Sequence, residues 1–383
     1  MDLKAIGDRI LTLSFYIKKI EVLIKDDAPY AIIYPDFEAL KKANIINIES
    51  EIRWYGVELY NMEVDDSHKV LGYEIISKKI DSKEQGEEDN ELYLSLKSYI
   101  STLSSEPIYL SSHLELDLGL DSLNYVELFV YIEQSFGVVI DEVLFSKIMT
   151  MKELYEYVKK NQTKFNPTTL EWKNILDEKI DKKLIYSPII MGVYKIVLLP
   201  LFKLYFSLEV KGQENIPKTR CIIAPIHQSM LDGFLILATL PFKVLKRSFF
   251  LSFKQVFGRG IFKPIAENSH NILIDANEHL KQTMQYSAMP LKEGANLVIF
   301  PEGARTRDGK LLEFRVFYTI LSATYNTPIV PVVLEGAFDA LKTGTIFPLP
   351  RKIKVTYLKP IYPEGLSYDE INQRVREAII KGI

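Results

Sequence analysis

One cysteine, Cys221, stands among 383 residues, so no internal disulfide can form, and the cysteine usage gives no argument for an oxidising compartment. The opening residues, MDLKAIGDRI, have neither a basic start nor a long apolar core, so no secretory signal is expected. An uninterrupted run of roughly 20 apolar residues, the length of a spanning helix, is also missing. The nearest approach is IYSPIIMGVYKIVLLPLFKLYF (185–206), which Pro188, Lys195, Pro200 and Lys203 interrupt. It suits one or two helices lying in a membrane interface with the lysines reaching headgroups; a spanning helix and a plain core helix are the alternatives. No internal repeat is present. The chain is expected to face the cytosol.

What is there is a globular composition, 47% hydrophobic and 25% charged, with apolar material for two or three cores. The net charge of −3 hides an uneven distribution. Residues 1–90 carry 12 Lys/Arg against 19 Asp/Glu, residues 91–160 carry 5 against 11, and residues 161–383 carry 30 against 20. A basic back half joined to an acidic front predicts anionic partners for the former: phosphate headgroups, a membrane surface or the acidic half itself. No nucleic-acid partner and no metal site are expected.

Three units separate by pattern. Residues 1–80 mix strand-like runs (AIIYP, 31–35) with helix-like ones (FEALKKANI, 37–45), an α+β pattern. DSKEQGEEDNE (81–91) reads as a linker. Residues 91–160 are helical, NQTKFNPTTLEWKN (161–174) reads as a second link, and from about 185 apolar strands alternate with helices, an α/β layer.

In the middle unit, GLDSL (119–123) opens a helical pattern in which Leu123, Val126 and Val130 share a face and Gly137 stops the helix. Ser122 is therefore a helix-start residue, which on its own fits an N-cap. Thr150 and Glu153 have capping-box spacing and open another helix. The stretch HLELDLGLDSLNYVELFVYIEQSFGVVI (113–140) resembles the acyl carrier protein family across nearly all of 91–160. The resemblance implies a four-helix acyl-carrier bundle with 4′-phosphopantetheine attached covalently to Ser122, and a phosphopantetheinyl transferase as partner. A phosphodiester at a helix N-terminus meets backbone amides and a favourable dipole. Acidic side chains such as Glu127 and Glu133 would offer charge for docking on basic enzymes.

In the back half, CIIAPIHQSMLDGF (221–234) sets His227 and Asp232 after an apolar strand. Positions i and i+5 of an ideal helix lie about 140° apart, so the pair meets only if the segment bends. A histidine backed by a carboxylate can take a proton from a hydroxyl. No serine or cysteine nucleophile accompanies it, which points to direct attack by a substrate alcohol. NLVIFPEGARTRDGKLLEF (296–314) is a second strand ending in Pro-Glu-Gly, followed by Arg305, Arg307, Lys310 and Arg315; it fits an anion-holding turn or a solvated turn with surface charges. A third strand, TPIVPVVLEG (327–336), carries Pro331. Between them, FKVLKRSFFLSFKQVFGRGIFK (242–263) is basic and rich in phenylalanine, suited to a lipid surface or to an amphipathic helix on a sheet.

These segments resemble the glycerolipid acyltransferase family, 1-acylglycerol-3-phosphate acyltransferase type, over roughly 185–360. The resemblance implies an α/β acyltransferase domain over 185–383 with His227 and Asp232 catalytic, Glu302, Gly303 and Arg305 binding or positioning the glycerol phosphate, and Pro331 matching the last motif. It further implies transfer of a fatty acyl group from a thioester carrier, acyl carrier protein or coenzyme A, to a hydroxyl of glycerol phosphate or a lysophospholipid. The setting would be the cytoplasmic side of a membrane, peripheral or interfacial, in phospholipid synthesis or remodelling. Ile226 replaces the usual Asn, Ala304 the usual Thr, and Ala276 an arginine, which leaves the acceptor lipid open.

The stretch from Ile20 to Asn61 resembles the small C-terminal subdomain of the AMP-forming acyl synthetases. Its usual closing Pro-Lys-Thr…Gly-Lys segment is replaced by ISKKIDSKEQGEEDN (76–90). The resemblance implies a truncated remnant or one half of a split enzyme, no adenylation by this polypeptide, and an acyl synthetase as a partner. The expected whole is multidomain: an α+β subdomain (1–80), a carrier (91–160) and a transferase (185–383). A non-enzymatic carrier with a membrane-docking, catalytically degraded transferase domain is the competing reading.

Overall fold

A computed structural model describes residues 2–26, 28–77, 90–167, 171–257, 262–274, 280–342, 345 and 347–383. The linker expected at 81–91 lies outside these residues except for Asn90 and Glu91. The chain divides near residue 171 into two compact units.

The first unit opens with α1 (Leu3–Leu13), β1 (Ile17–Lys25) and β2 (Ala28–Pro35), followed by α2 (Phe37–Lys42), α3 (Ile48–Ile52), α4 (Glu58–Glu63) and β3 (Gly72–Ile75). The sheet order is β1-β2-β3, with β1 antiparallel and β3 parallel to β2. Every second residue of β2 is buried, the period expected of a strand with one face on a core. That core holds Ile10, Ile33, Leu40 and Ile52, and also Met149 from the helical segment that follows.

The helical segment comprises α5 (Glu91–Leu103), α6 (Ser122–Phe136), α7 (Glu142–Phe145) and α8 (Met151–Asn161). The cap of α6 is Asp121, whose carboxylate accepts the Leu123 and Asn124 amides while the Asn124 side chain accepts the Asp121 amide. Ser122 is thus the first helical residue and not the cap, which removes the N-cap account of this serine. Gly137 ends α6 at φ +70°, where a side chain would be strained, and Thr150 with Glu153 forms the capping box of α8.

The two parts of this unit are joined by polar contacts. Both carboxylate oxygens of Glu115 accept backbone amides, Ile48 at 2.9 Å and Glu49 at 2.8 Å. Lys41 pairs with Glu153 at 2.9 Å, Ser77 donates to Asp117, and the Phe37 and His113 rings lie 5.4 Å apart. Of the segment expected as a second link at 161–174, residues 161–167 and 171–174 are described. Thr163 and Asn166 donate to carbonyls at the end of α6, and α9 (Trp172–Asp177) begins inside it with Trp172 buried in the second unit.

The second unit continues with α10 (Pro188–Tyr205) and then β4 (Glu209–Lys211), β5 (Ile222–Pro225), α11 (Asp232–Thr239), β6 (Ser248–Phe253), β7 (Asn271–Ile274), β8 (Asn296–Val298), β9 (Ile329–Glu335) and β10 (Lys354–Tyr357). The sheet order is β4-β10-β9-β5-β8-β6-β7, and only the β9–β10 pair is antiparallel. β5 and β8 are buried throughout, and β9 except at its last residue, as covered parallel strands require.

Within residues 185–206 one helix forms, Pro188–Tyr205. Pro188 occupies its first turn, where the missing N–H is no loss. The helix is roughly 27 Å long, and by length and composition alone it could cross a membrane. Lys195 does not reach out to headgroups, contrary to expectation: its ammonium donates to Ala238 O at 2.6 Å and Leu240 O at 2.7 Å, closing the C-terminus of α11. Lys203 is exposed. In the 242–263 segment the central phenylalanines do not face lipid either. Phe249 and Phe250 belong to β6, and since neighbours in a strand point to opposite faces of the sheet, the burial of both shows that both faces are covered there.

Burial pushes the Glu115 carboxyl up to about 8, outweighing the two amides that favour its ionised form. A folded value above the unfolded one means that its stabilising contribution is complete below about pH 4.5 and is lost as pH rises through about 8. The urea midpoint of the first unit, followed by Trp54 in a Trp172→Phe background, should therefore fall between pH 6 and 9. The fall should be smaller in Glu115→Gln, and equal slopes would refute the assignment.

Candidate active site

Parallel neighbours in a sheet deliver their C-terminal ends to the same edge, and loops there are where open α/β sheets bind ligands. β5 and β8 are such neighbours. The loop after β5 carries His227 and the loop after β8 carries Glu302, Gly303 and Arg305.

The bend that a His-x4-Asp pair needs is the turn 226–231 between β5 and α11, and Asp232 is the first residue of that helix. His227 Nδ1 lies 2.9 Å from Asp232 Oδ2. The same oxygen accepts the amides of Gln228 at 2.6 Å and Ser229 at 2.7 Å. Asp232 has no solvent exposure, whereas the His227 side chain is 20% exposed. Burial raises the Asp232 pKa, while the imidazole and the two amides pull it down. With Nδ1 committed to the carboxylate, Nε2 is the nitrogen left to act as a base. Phe300 stacks on the imidazole with ring centres 4.1 Å apart. The Ser229 hydroxyl donates to Leu341 O at 2.9 Å and accepts the Leu231 amide, which fixes the turn.

Glu302 is buried and ties the two loops together. One carboxylate oxygen accepts the His227 amide at 2.6 Å and the other the Leu312 amide at 2.8 Å. Burial raises its pKa to about 7. Thr306 N donates to His227 O at 2.9 Å, a second tie between the loops. Gly303 sits at φ +63° in the turn closed by its own amide on Phe300 O, a conformation that disfavours other residues. Arg305 is buried one residue before the Thr306 amide, whereas Arg315 and Lys310 are exposed.

Pro331 is placed apart from these loops. It lies inside β9 opposite Ala224, and its carbonyl accepts Leu358 N. The β9–β10 ladder stops beside it, so its missing N–H costs no bond there. Ile226 is buried, with its amide on Val332 O. Ala276 lies outside the described residues. Ser122 belongs to the other unit. Sequence reasoning missed Phe300 as a ring partner, Ser229 as a turn fixer and the Leu312 amide. Only the first two left any signal, an aromatic at a strand end and a hydroxyl two residues after the histidine. Among the described residues no group of three or more His, Cys, Asp or Glu is arranged to hold a metal ion.

The family described as Acyltransferase matches residues 207–335, which include His227, Asp232, Glu302 and Pro331, and the family described as Phosphopantetheine attachment site matches 97–158, which include Ser122. A 1-acyl-sn-glycerol-3-phosphate acyltransferase of Limnanthes douglasii is 30% identical over 172 residues, 44% of this chain and 59% of the relative. The crystal structure of the 1-acyl-sn-glycerophosphate acyltransferase PlsC from Thermotoga maritima overlays with TM-score 0.44 at 24% identity, covering 50% of this chain and 77% of that one. The A-PCP didomain of carboxylic acid reductase from Segniliparus rugosus, in complex with AMP, overlays with TM-score 0.17 at 15% identity, covering 41% of this chain and 28% of that one. The chain spans 59% of the length of the Limnanthes douglasii relative, and 65% and 50% of the relatives from Pseudomonas aeruginosa and Arabidopsis thaliana.

Glu302→Gln would set an amide NH2 against one of two backbone donors. The loss of one charge-assisted buried bond should cost about 1–3 kcal/mol in urea unfolding of the second unit, with faster hydrogen exchange at the His227 and Leu312 amides. An unchanged midpoint and unchanged exchange would show that the tie does not hold the loops.

Proposed function

Since the chain carries an acyltransferase domain and a phosphopantetheine-attachment domain, we propose that it transfers a fatty acyl group from a thioester donor to a hydroxyl of glycerol phosphate or a lysophospholipid at a membrane surface, in phospholipid synthesis or remodelling. The observation that carries this is the 2.9 Å contact between His227 Nδ1 and the fully buried Asp232. Asp232 holds the ring in the tautomer whose Nε2 accepts the proton of the acceptor hydroxyl, and it stabilises the imidazolium that forms. The acceptor oxygen bonds to the thioester carbonyl carbon, the carbon–sulfur bond breaks, and the departing thiolate takes the proton back from His227.

Glu302 works by positioning: it fixes the His227 amide and, through Leu312, the arginine-bearing loop. Gly303 allows the turn, and Arg305 supplies positive charge for the acceptor phosphate. Pro331 shapes the strand next to β5. With Asp121 serving as the cap, Ser122 at the start of a 15-residue helix is a fitting attachment point for 4′-phosphopantetheine. Bound there, the group supplies a swinging thiol on which an acyl chain is carried. The three-part division at 1–80, 91–160 and 185–383, with the first part a synthetase remnant served by a separate AMP-forming synthetase, belongs to the same reading. A phosphopantetheinyl transferase acting on Ser122 belongs to it too.

The membrane part of the proposal rests on α10. Ile189, Val193, Ile196, Val197, Leu201 and Leu204 are all exposed at helical spacing, and only 17% of the helix is buried. A stripe of that width suits an interface, and the net positive charge of residues 161–383 suits anionic lipid on the cytoplasmic side.

His227→Ala should abolish acyl transfer from acyl thioesters to lyso-acceptors. Asp232→Asn should lower kcat by roughly two to four orders of magnitude with KM little changed. Undiminished transfer by His227→Ala would reject the enzyme and favour a non-enzymatic carrier with a docking domain. Ile196→Asp with Leu204→Asp should cut flotation with phosphatidylglycerol vesicles at least tenfold while circular dichroism is unchanged; equal flotation would remove α10 from the membrane account.

A further inference from the structure

We propose that residues 2–77 serve as an internal docking partner for the carrier, gripping the segment that leads into Ser122 and thereby slowing access by outside enzymes. The inference rests on the reading of Ser122 as the attachment point.

The grip falls on one side of the N-terminal end of α6. Glu115, His113 and Asp117 come from the segment just before Asp121 and Ser122, and all three contact the front part. Tyr125, in the first turn of α6, is buried within the electrostatic reach of Glu115 and Asp121. The segment after α7 closes the same side, where Met149 enters the front part's core and Ser146 bonds Asn44.

Acidic carriers attract basic enzymes through their carboxylates. Here two such groups are already engaged inside the chain, Asp117 by the Ser77 hydroxyl and Glu153 by the Lys41 ammonium, and the Glu115 carboxyl is committed to two amides. Glu133 on α6 is exposed and remains for outside partners. An enzyme acting on Ser122 must either work from that side or displace the front part. This gives residues 2–77 a role that needs no adenylation chemistry.

The test uses the full chain. Phosphopantetheine transfer from coenzyme A by an added phosphopantetheinyl transferase is timed by intact mass for wild type, Lys41→Glu and Glu115→Ala, with Ser122→Ala as the blank. Hydrogen exchange at Ile48 and Glu49 reports release of the front part, and protected amides in α6 and α8 report an intact carrier. Opened variants should load at least threefold faster. Where Glu115→Ala does not fold, Lys41→Glu, at a half-buried ion pair, carries the test. Equal or slower loading with exposed Ile48 and Glu49 amides overturns the proposal, as does Lys41→Glu failing to raise their exchange. No mass gain in any form, while an unrelated carrier is loaded in the same reaction, rejects Ser122 as the attachment point and the docking role with it.

Discussion

A carboxylate sealed from water is what the second unit is arranged around. Burying an uncompensated charge costs several kcal/mol, and Asp232 has no exposure at all. Its compensation is local: two amides from its own turn and the His227 ring converge on one oxygen, and its place at the start of α11 adds a favourable helix dipole. The turn 227–232 therefore cannot relax into another shape without stranding the charge. Ring orientation follows from this, and so does the choice of nitrogen that faces chemistry.

A second buried acid extends that constraint across the sheet edge. Because β5 and β8 are parallel neighbours, their exit loops run side by side, and Glu302 accepts one amide from each. Both oxygens of Glu302 are thus engaged on backbone amides that hold the two loops to one another. The arginine-bearing loop is then placed by the acid that also holds the His227 amide. Lys195 does the equivalent work behind the site, closing the end of α11 and holding the helix that begins at Asp232 to the exposed helix α10.

Local chemistry was legible in the sequence, and long-range pairing was not. The need for a bend between His227 and Asp232, the stop at Gly137 and the box at Thr150 and Glu153 depend on residues a few positions apart, where spacing dictates geometry. Lys195 was misread as a snorkelling lysine because its carbonyl partners lie 43 and 45 residues away. Around Phe249 and Phe250 the sequence left a lipid surface and a helix packed on a sheet both open, because a strand covered on both faces has no alternation to announce it. The tie at Glu115 had no sequence signal, since the Ile48 and Glu49 amides that donate to it are 67 and 66 positions distant and amides leave no mark in a sequence. Asp121 and Ser122, both good caps, could be told apart only by the Asn124 side chain closing the box on Asp121.

The junction between carrier and transferase bears on how the proposed reaction is supplied. Thr163 and Asn166 are bonded back to the end of α6, and Trp172 is already buried in α9, so the chain between the anchors at Asn166 and Trp172 is only a few residues long. A tether turns the encounter of two sites on one chain into an intramolecular event at roughly millimolar effective concentration when it can span them, and contributes nothing when it cannot. Under the proposed reaction, donor choice is then a question of reach before it is one of affinity.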